Sequence, residues 1–118
     1  MTDNGLVTTA SRFLVRETMA RLVEALDKRH LTVFARIDHA AGAASAGLAL
    51  RPTEVVIFGN PKGGTPLMEE RQTAGIDLPL RALVWEDVDG KAWLSYNDPA
   101  WIARRHGLGA ASAGRSSF

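Results

Sequence analysis

The chain has 118 residues, 46% of them hydrophobic and 23% charged, which is the size and composition of one globular domain. Fourteen basic against thirteen acidic residues leave a formal charge of +1, too little net field to gather nucleic acid or an anionic membrane surface. The lack of cysteine excludes disulfides, a thiolate nucleophile and Cys-ligated metal, and no apolar run reaches the length of a membrane span.

Taken in chain order, Gly5–Ser11 (GLVTTAS) is β-prone and reads as a first strand. Val15, Met19, Leu22, Val23 and Leu26 then fall at i, i+4, i+7, i+8 and i+11, the stripe of an amphipathic helix that closes at Arg29 and His30. Leu31–His39 alternates as a strand, with Val33, Ala35 and Ile37 on one side and Phe34, Arg36 and Asp38 on the other. AAGAASAGLAL is expected to form a short alanine-rich helix despite Gly42 and Gly47. Glu54–Phe58 holds an unbroken VVIF run, the pattern of a strand buried on both faces or central in a sheet. Thr65 followed by Pro66 predicts a helix start, with one or two turns reaching Ala74. Leu80–Glu86 and Lys91–Tyr96 form a hairpin about Asp89-Gly90, and Asn97-Asp98-Pro99 opens a final helix that runs to Gly107. The fold class expected is α+β: a two-layer sandwich, with a mixed or antiparallel sheet of about five strands and helices mainly on one face. Residues 1–108 form the single domain, and 109–118 read as a flexible tail.

The phrases FARIDHAAGA, VVIFGNPKGGTPLM, IDLPLRALVWEDVDGKAWLSYNDP and RRHGL resemble those of the domain of unknown function 302 family, over about residues 6 to 108. The resemblance implies a compact two-layer domain that pairs with itself as a homodimer, and it transfers no catalytic residue. Relatives often place a cysteine after the Leu-Pro pair, where this chain has Leu80, so no role can rest on a thiol there.

Chemistry therefore has to be argued from individual residues. In the loop after the VVIF strand, Gly59 allows close approach, Asn60 precedes a proline, Gly63 and Gly64 free backbone N–H groups, and Lys62 brings a charge. Such a loop can cradle an anion, or it can be a strand-to-helix turn whose glycines and prolines serve geometry alone. The order of Lys62 and the glycines does not fit a P-loop. Asp38, where strand becomes loop, is the acid or base candidate, and it would reach the Gly-Asn-Pro turn if the second and third strands are neighbours. Trp85, Trp93 and Tyr96 cluster on the hairpin, as core, as interface or as a stacking surface. His30, His39 and His106 have no metal-ligand spacing, so neither metal nor cofactor is expected.

The expectation is a small cytoplasmic domain, with neither a signal peptide nor a nucleic-acid or membrane partner. It would bind a small molecule or anionic metabolite in a concavity framed by Asp38, Gly59, Asn60, Lys62, Gly63, Gly64, Trp85 and Tyr96. Two alternatives stand beside it. One is an enzyme that uses Asp38 as general acid or base; the other is an interaction module acting through Trp85, Trp93 or Leu83.

Overall fold

The computed structural model describes residues 4–109. Five strands, β1 (Leu6–Ala10), β2 (Thr32–Asp38), β3 (Thr53–Gly59), β4 (Leu80–Glu86) and β5 (Ala92–Asn97), form one sheet in the order β1-β5-β4-β3-β2. Every neighbouring pair is antiparallel. The helices are α1 (Val15–Lys28), α2 (His39–Ser45), α3 (Pro61–Glu70) and α4 (Pro99–His106), with a 3-10 turn at Gln72–Ile76 after α3. This is the α+β sandwich expected from the sequence, its sheet wholly antiparallel. The tail expected over 109–118 lies, apart from Gly109, outside the described residues.

Local chemistry explains the elements. In the β4–β5 hairpin Gly90 takes φ +81°, which suits a residue without a Cβ. The Asp87 Oδ1 accepts from the backbone N–H groups of Asp89 and Lys91, both at 2.9 Å, and so fixes the turn. Helix α1 ends in a pair of bonds from the N–H of Leu31 to the carbonyl of Leu26 and from that of His30 to Asp27, both 3.0 Å, which satisfy two terminal carbonyls. The residue bent into the left-handed region there is His30, at φ 59°, where glycine is the usual occupant. At α4, Asp98 caps Ala100 at 3.0 Å, Pro99 takes the first helical position, and Gly107 closes the helix at φ 66°.

The predicted stripe of α1 is the one that packs: Val15, Met19 and Leu26 are buried, with Leu22 and Val23 beside them. They meet one face of the sheet, made by Val33, Val56, Phe58, Ala82, Val84, Ala92 and Leu94. The cross-strand register puts the intervening side chains of β3, β4 and β5 on the opposite face. There Val55, Ile57, Leu83, Trp85 and Trp93 are only half-buried, and Ile37 is exposed. Strand β3 is thus interior to the sheet, as its VVIF run suggested, and its α1 side is the better covered, with Val56 fully buried there.

One expected helix start moves. Helix α3 begins five residues before Pro66, with Asn60 as its cap and Pro61 as its first residue, and Pro66 lies inside it. Asn60-Pro61 is the same cap-then-proline signal as Thr65-Pro66, and it stands immediately after β3. Once the helix has started there, the missing N–H of Pro66 and the poor propensity of Gly63 and Gly64 are offset by complete burial of Leu67.

Candidate functional site

The corner where β3 turns into α3 encloses a pocket of about 210 Å³. Its walls come from three separate segments. Strand β2 contributes Phe34, the end of β3 and helix α3 contribute Gly59 to Pro61, Gly63 to Thr65, Leu67 and Met68, and the link into β4 contributes Leu78, Pro79 and Leu80. Phe34 reaches the pocket because β2 carries a register irregularity between Val33 and Ala35, which releases one residue from strict alternation. Pro79 follows a cis peptide bond from Leu78. Gly59 packs against this wall: a Cβ there would stand 3.4 Å from the Cβ of Pro79 and 3.8 Å from the ring of Phe34, ordinary van der Waals contact. Leu67 and Leu80 close the floor, both buried.

The wall is mostly apolar, and the backbone donors at the start of the loop are already engaged. The backbone N–H groups of Gly63 and Gly64 both donate to the carbonyl of Asn60 at 2.9 Å. The Asn60 Oδ1 accepts from the N–H of Lys62 at 3.0 Å. The donors that would have cradled an anion therefore make the first turn of α3. Of the residues expected at the site, Gly59, Asn60, Gly63 and Gly64 line this pocket, whereas Lys62 is exposed and outside its wall.

Asp38, Trp85 and Tyr96 do not join them. Strands β2 and β3 are neighbours, as the argument for Asp38 required, but they run antiparallel, with Asp38 opposite Glu54 and Thr32 opposite Gly59. Asp38 thus stands about five residues along the sheet from Gly59, roughly 17 Å at the rise of a strand. The expected meeting of two loops at one rim does not occur. At its own end Asp38 caps α2, accepting from the N–H of Ala41 at 2.9 Å. A shallow, charged concavity surrounds it, in which Arg36 donates to Glu54 at 2.7 Å. Trp85 lies opposite Thr53, toward that same end. It stacks on Trp93, with ring centroids 6.2 Å apart, and its indole N–H donates to Ser95 Oγ at 2.9 Å. Tyr96 pairs with Ala82 and so belongs to the opposite face of the sheet from Trp85. The aromatic hairpin is two surfaces, not one.

Residues that sequence reasoning passed over complete the picture. Phe34, Leu78 and Pro79 supply much of the pocket wall, and the signal for them was faint: an exposed aromatic in a strand and a Leu-Pro before the next one. A second polar cluster lies around the 3-10 turn. Asp77 is bonded to Nε2 of His106 at 2.6 Å and accepts from Arg105 at 3.1 Å, while Nδ1 of His106 lies 3.1 Å from Thr73 Oγ1. The imidazole is 6% exposed. In the sequence His106 had been weighed as a metal ligand.

Fold and site together define a small antiparallel α+β domain with an apolar corner pocket. Residues 7–116 match the family described as "Domain of unknown function DUF302", and the chain belongs to that family. A crystal structure of a conserved DUF302 protein from Bacillus stearothermophilus matches it with a TM-score of 0.81, covering 95% of this chain and 87% of that one. At 18% identity this is a likeness of fold. In sequence, the chain is 56% identical over 110 residues to "Fluoride-specific ion channel FluC 1" of Brucella suis biovar 1 (strain 1330), covering 93% of this chain and 43% of that protein. It is equally identical over 110 residues to "Fluoride-specific ion channel FluC 1" of Brucella abortus biovar 1 (strain 9-941), covering 41% of it. The chain spans less than half the length of these curated relatives. Among the described residues, no helix is long and apolar enough to cross a membrane.

Proposed function

We propose that the domain is a binding module whose corner pocket takes a small apolar or amphipathic molecule. The observation that carries this reading is the wall itself: Phe34, Leu67, Met68, Leu78, Pro79 and Leu80 surround about 210 Å³, with Asn60 and Thr65 as its polar points. Binding sites of small molecules are typically concave and mostly apolar with few polar groups, and an aliphatic-lined cavity of about 150 Å³ can already hold benzene. An anionic metabolite fits less well, since the loop's N–H donors are spent within α3. An enzyme using Asp38 also fits less well, because that carboxylate is a helix cap far from the pocket.

Mass spectrometry of the native protein, isolated from its own cells under non-denaturing conditions and then extracted with organic solvent, tests the reading. A retained small molecule that Gly64→Leu no longer carries supports it. A Cβ at Gly64 would stand 3.8 Å from Leu78 Cδ1 and 3.9 Å from Met68 Cε, so the larger side chain enters the pocket without a backbone clash. Ligand retained equally by this variant speaks against it.

The open sheet face favours a second reading, an interaction module that pairs with a second copy. Ile37, Val55 and Leu83 form a continuous cross-strand row on that face, flanked by Trp85 and Trp93. A contiguous apolar patch on a sheet is the kind of surface that subunits cover. The greater length of the Brucella proteins is compatible with such a role, since there the module is joined to other sequence. Sedimentation of the purified protein distinguishes the outcomes: a dimer that Leu83→Glu converts to a folded monomer supports self-association, and a monomer at high concentration opposes it.

A further inference from the structure

We propose that Thr73, His106 and Asp77 form a hydroxyl–imidazole–carboxylate relay that makes Thr73 an acceptor of acyl groups from activated carboxylic esters. The relay is separate from the corner pocket and does not depend on it. A carboxylate can only accept, so the His106 Nε2 that faces Asp77 at 2.6 Å must carry the hydrogen. In the neutral ring Nδ1 is then bare, and the Thr73 hydroxyl, 3.1 Å away, donates to it. A nucleophile within hydrogen-bond reach of a base that is itself oriented by a third group is the arrangement that activates hydroxyls.

The environment of each member suits its part. Thr73 is exposed and accessible to a reagent. The imidazole is 6% exposed and Asp77 12%, so the relay behind the hydroxyl is shielded from water. Arg105 donates to both oxygens of Asp77, at 3.2 and 3.1 Å, and holds the carboxylate in place. Arg71 stands at the same corner: its Nε is 3.9 Å from where a Cβ would lie on Gly107, the residue after His106.

In the step proposed, the Thr73 oxygen forms a bond to the ester carbonyl carbon while its proton passes to His106 Nδ1. Collapse of the tetrahedral intermediate breaks the bond to the leaving oxygen, which departs with the proton from His106, and the acyl group stays as an ester on Thr73. Asp77 is a positioning residue that keeps the reactive tautomer.

p-Nitrophenyl acetate is the probe. The wild-type protein should release one equivalent of p-nitrophenol in a burst and carry a single acetyl group on the peptide containing Thr73. Thr73→Ala alters an exposed side chain, should fold normally, and should abolish both the burst and the label, while Thr73→Ser should retain them. Asp77→Asn should slow the burst on the order of a hundredfold, a general base being worth about 10²–10⁴ in rate. Acetylation confined to lysines or the N-terminus, or a burst unchanged in Thr73→Ala, would overturn the proposal.

Discussion

Asp87 is the side chain on which the β4–β5 turn hangs. Its Oδ1 accepts two backbone N–H groups, and its Oδ2 accepts the indole N–H of Trp93 at 2.8 Å. The bond from Trp93, followed by that from Lys91, holds the carboxyl below the ordinary aspartate value. A lowered folded value stabilises the protein above the unfolded one, about 3.9, and the stabilisation is lost as pH falls through the lower folded value. Urea denaturation in that acid window should therefore show declining stability, and Asp87→Asn should flatten this part of the profile; equal slopes in both proteins would contradict the assignment. His30 offers the converse test. Its left-handed conformation costs a side-chain-bearing residue about 1 kcal/mol that glycine does not bear, so His30→Gly should raise the denaturation midpoint by about that equivalent. At this scale the sequence was informative where a residue's chemistry acts locally, as with Asp98 before Pro99 or Gly90 in the hairpin. It was silent about His30, because nothing in the residue itself marks a left-handed turn.

Among elements, α4 meets the start of β1 at Gly5. Gly5 takes φ +78°, and a Cβ there would lie 2.4 Å from the Trp101 ring. The carbonyl of Gly5 also accepts from the N–H of Asp98, the cap of α4, at 2.7 Å. Gly5→Ala combines a left-handed penalty with overpacking and should destabilise by about 2–4 kcal/mol, read as a lower midpoint in chemical denaturation. The periodicity of α1 was legible because every residue of its stripe serves one burial. The start of α3 was not, because Asn60-Pro61 and Thr65-Pro66 carry the same signal and only packing chooses between them. Strand direction was a larger gap. Alternation identifies a strand but does not orient it, and residues 39–52 are long enough for either a crossover or a reversal. The antiparallel outcome sends Asp38 and Asn60 to opposite ends, and Trp85 goes with Asp38.

For the whole molecule, the fold separates three surfaces. One sheet face is closed by α1, the other keeps a row of half-buried aliphatic and indole side chains, and one corner holds an apolar pocket. The Gly-rich loop lines the corner pocket, though its backbone donors are bonded within the helix that starts there. The N–H groups of Gly63 and Gly64 suggested donors for an anion, and in the folded chain they donate to the Asn60 carbonyl to begin a helix whose apolar side chains make part of the wall. Sequence alone could not supply Phe34, Leu78 and Pro79, which reach the same corner only through the sheet register. The measurement that tests this account most directly is methyl NMR of Met68, whose side chain is on the pocket wall, during titration with small aromatic compounds such as indole. The wild-type protein should give a saturable shift of the Met68 methyl that disappears when Gly64→Leu fills the space. A Met68 signal that does not move, or that moves equally in the filled variant, would contradict binding at this corner.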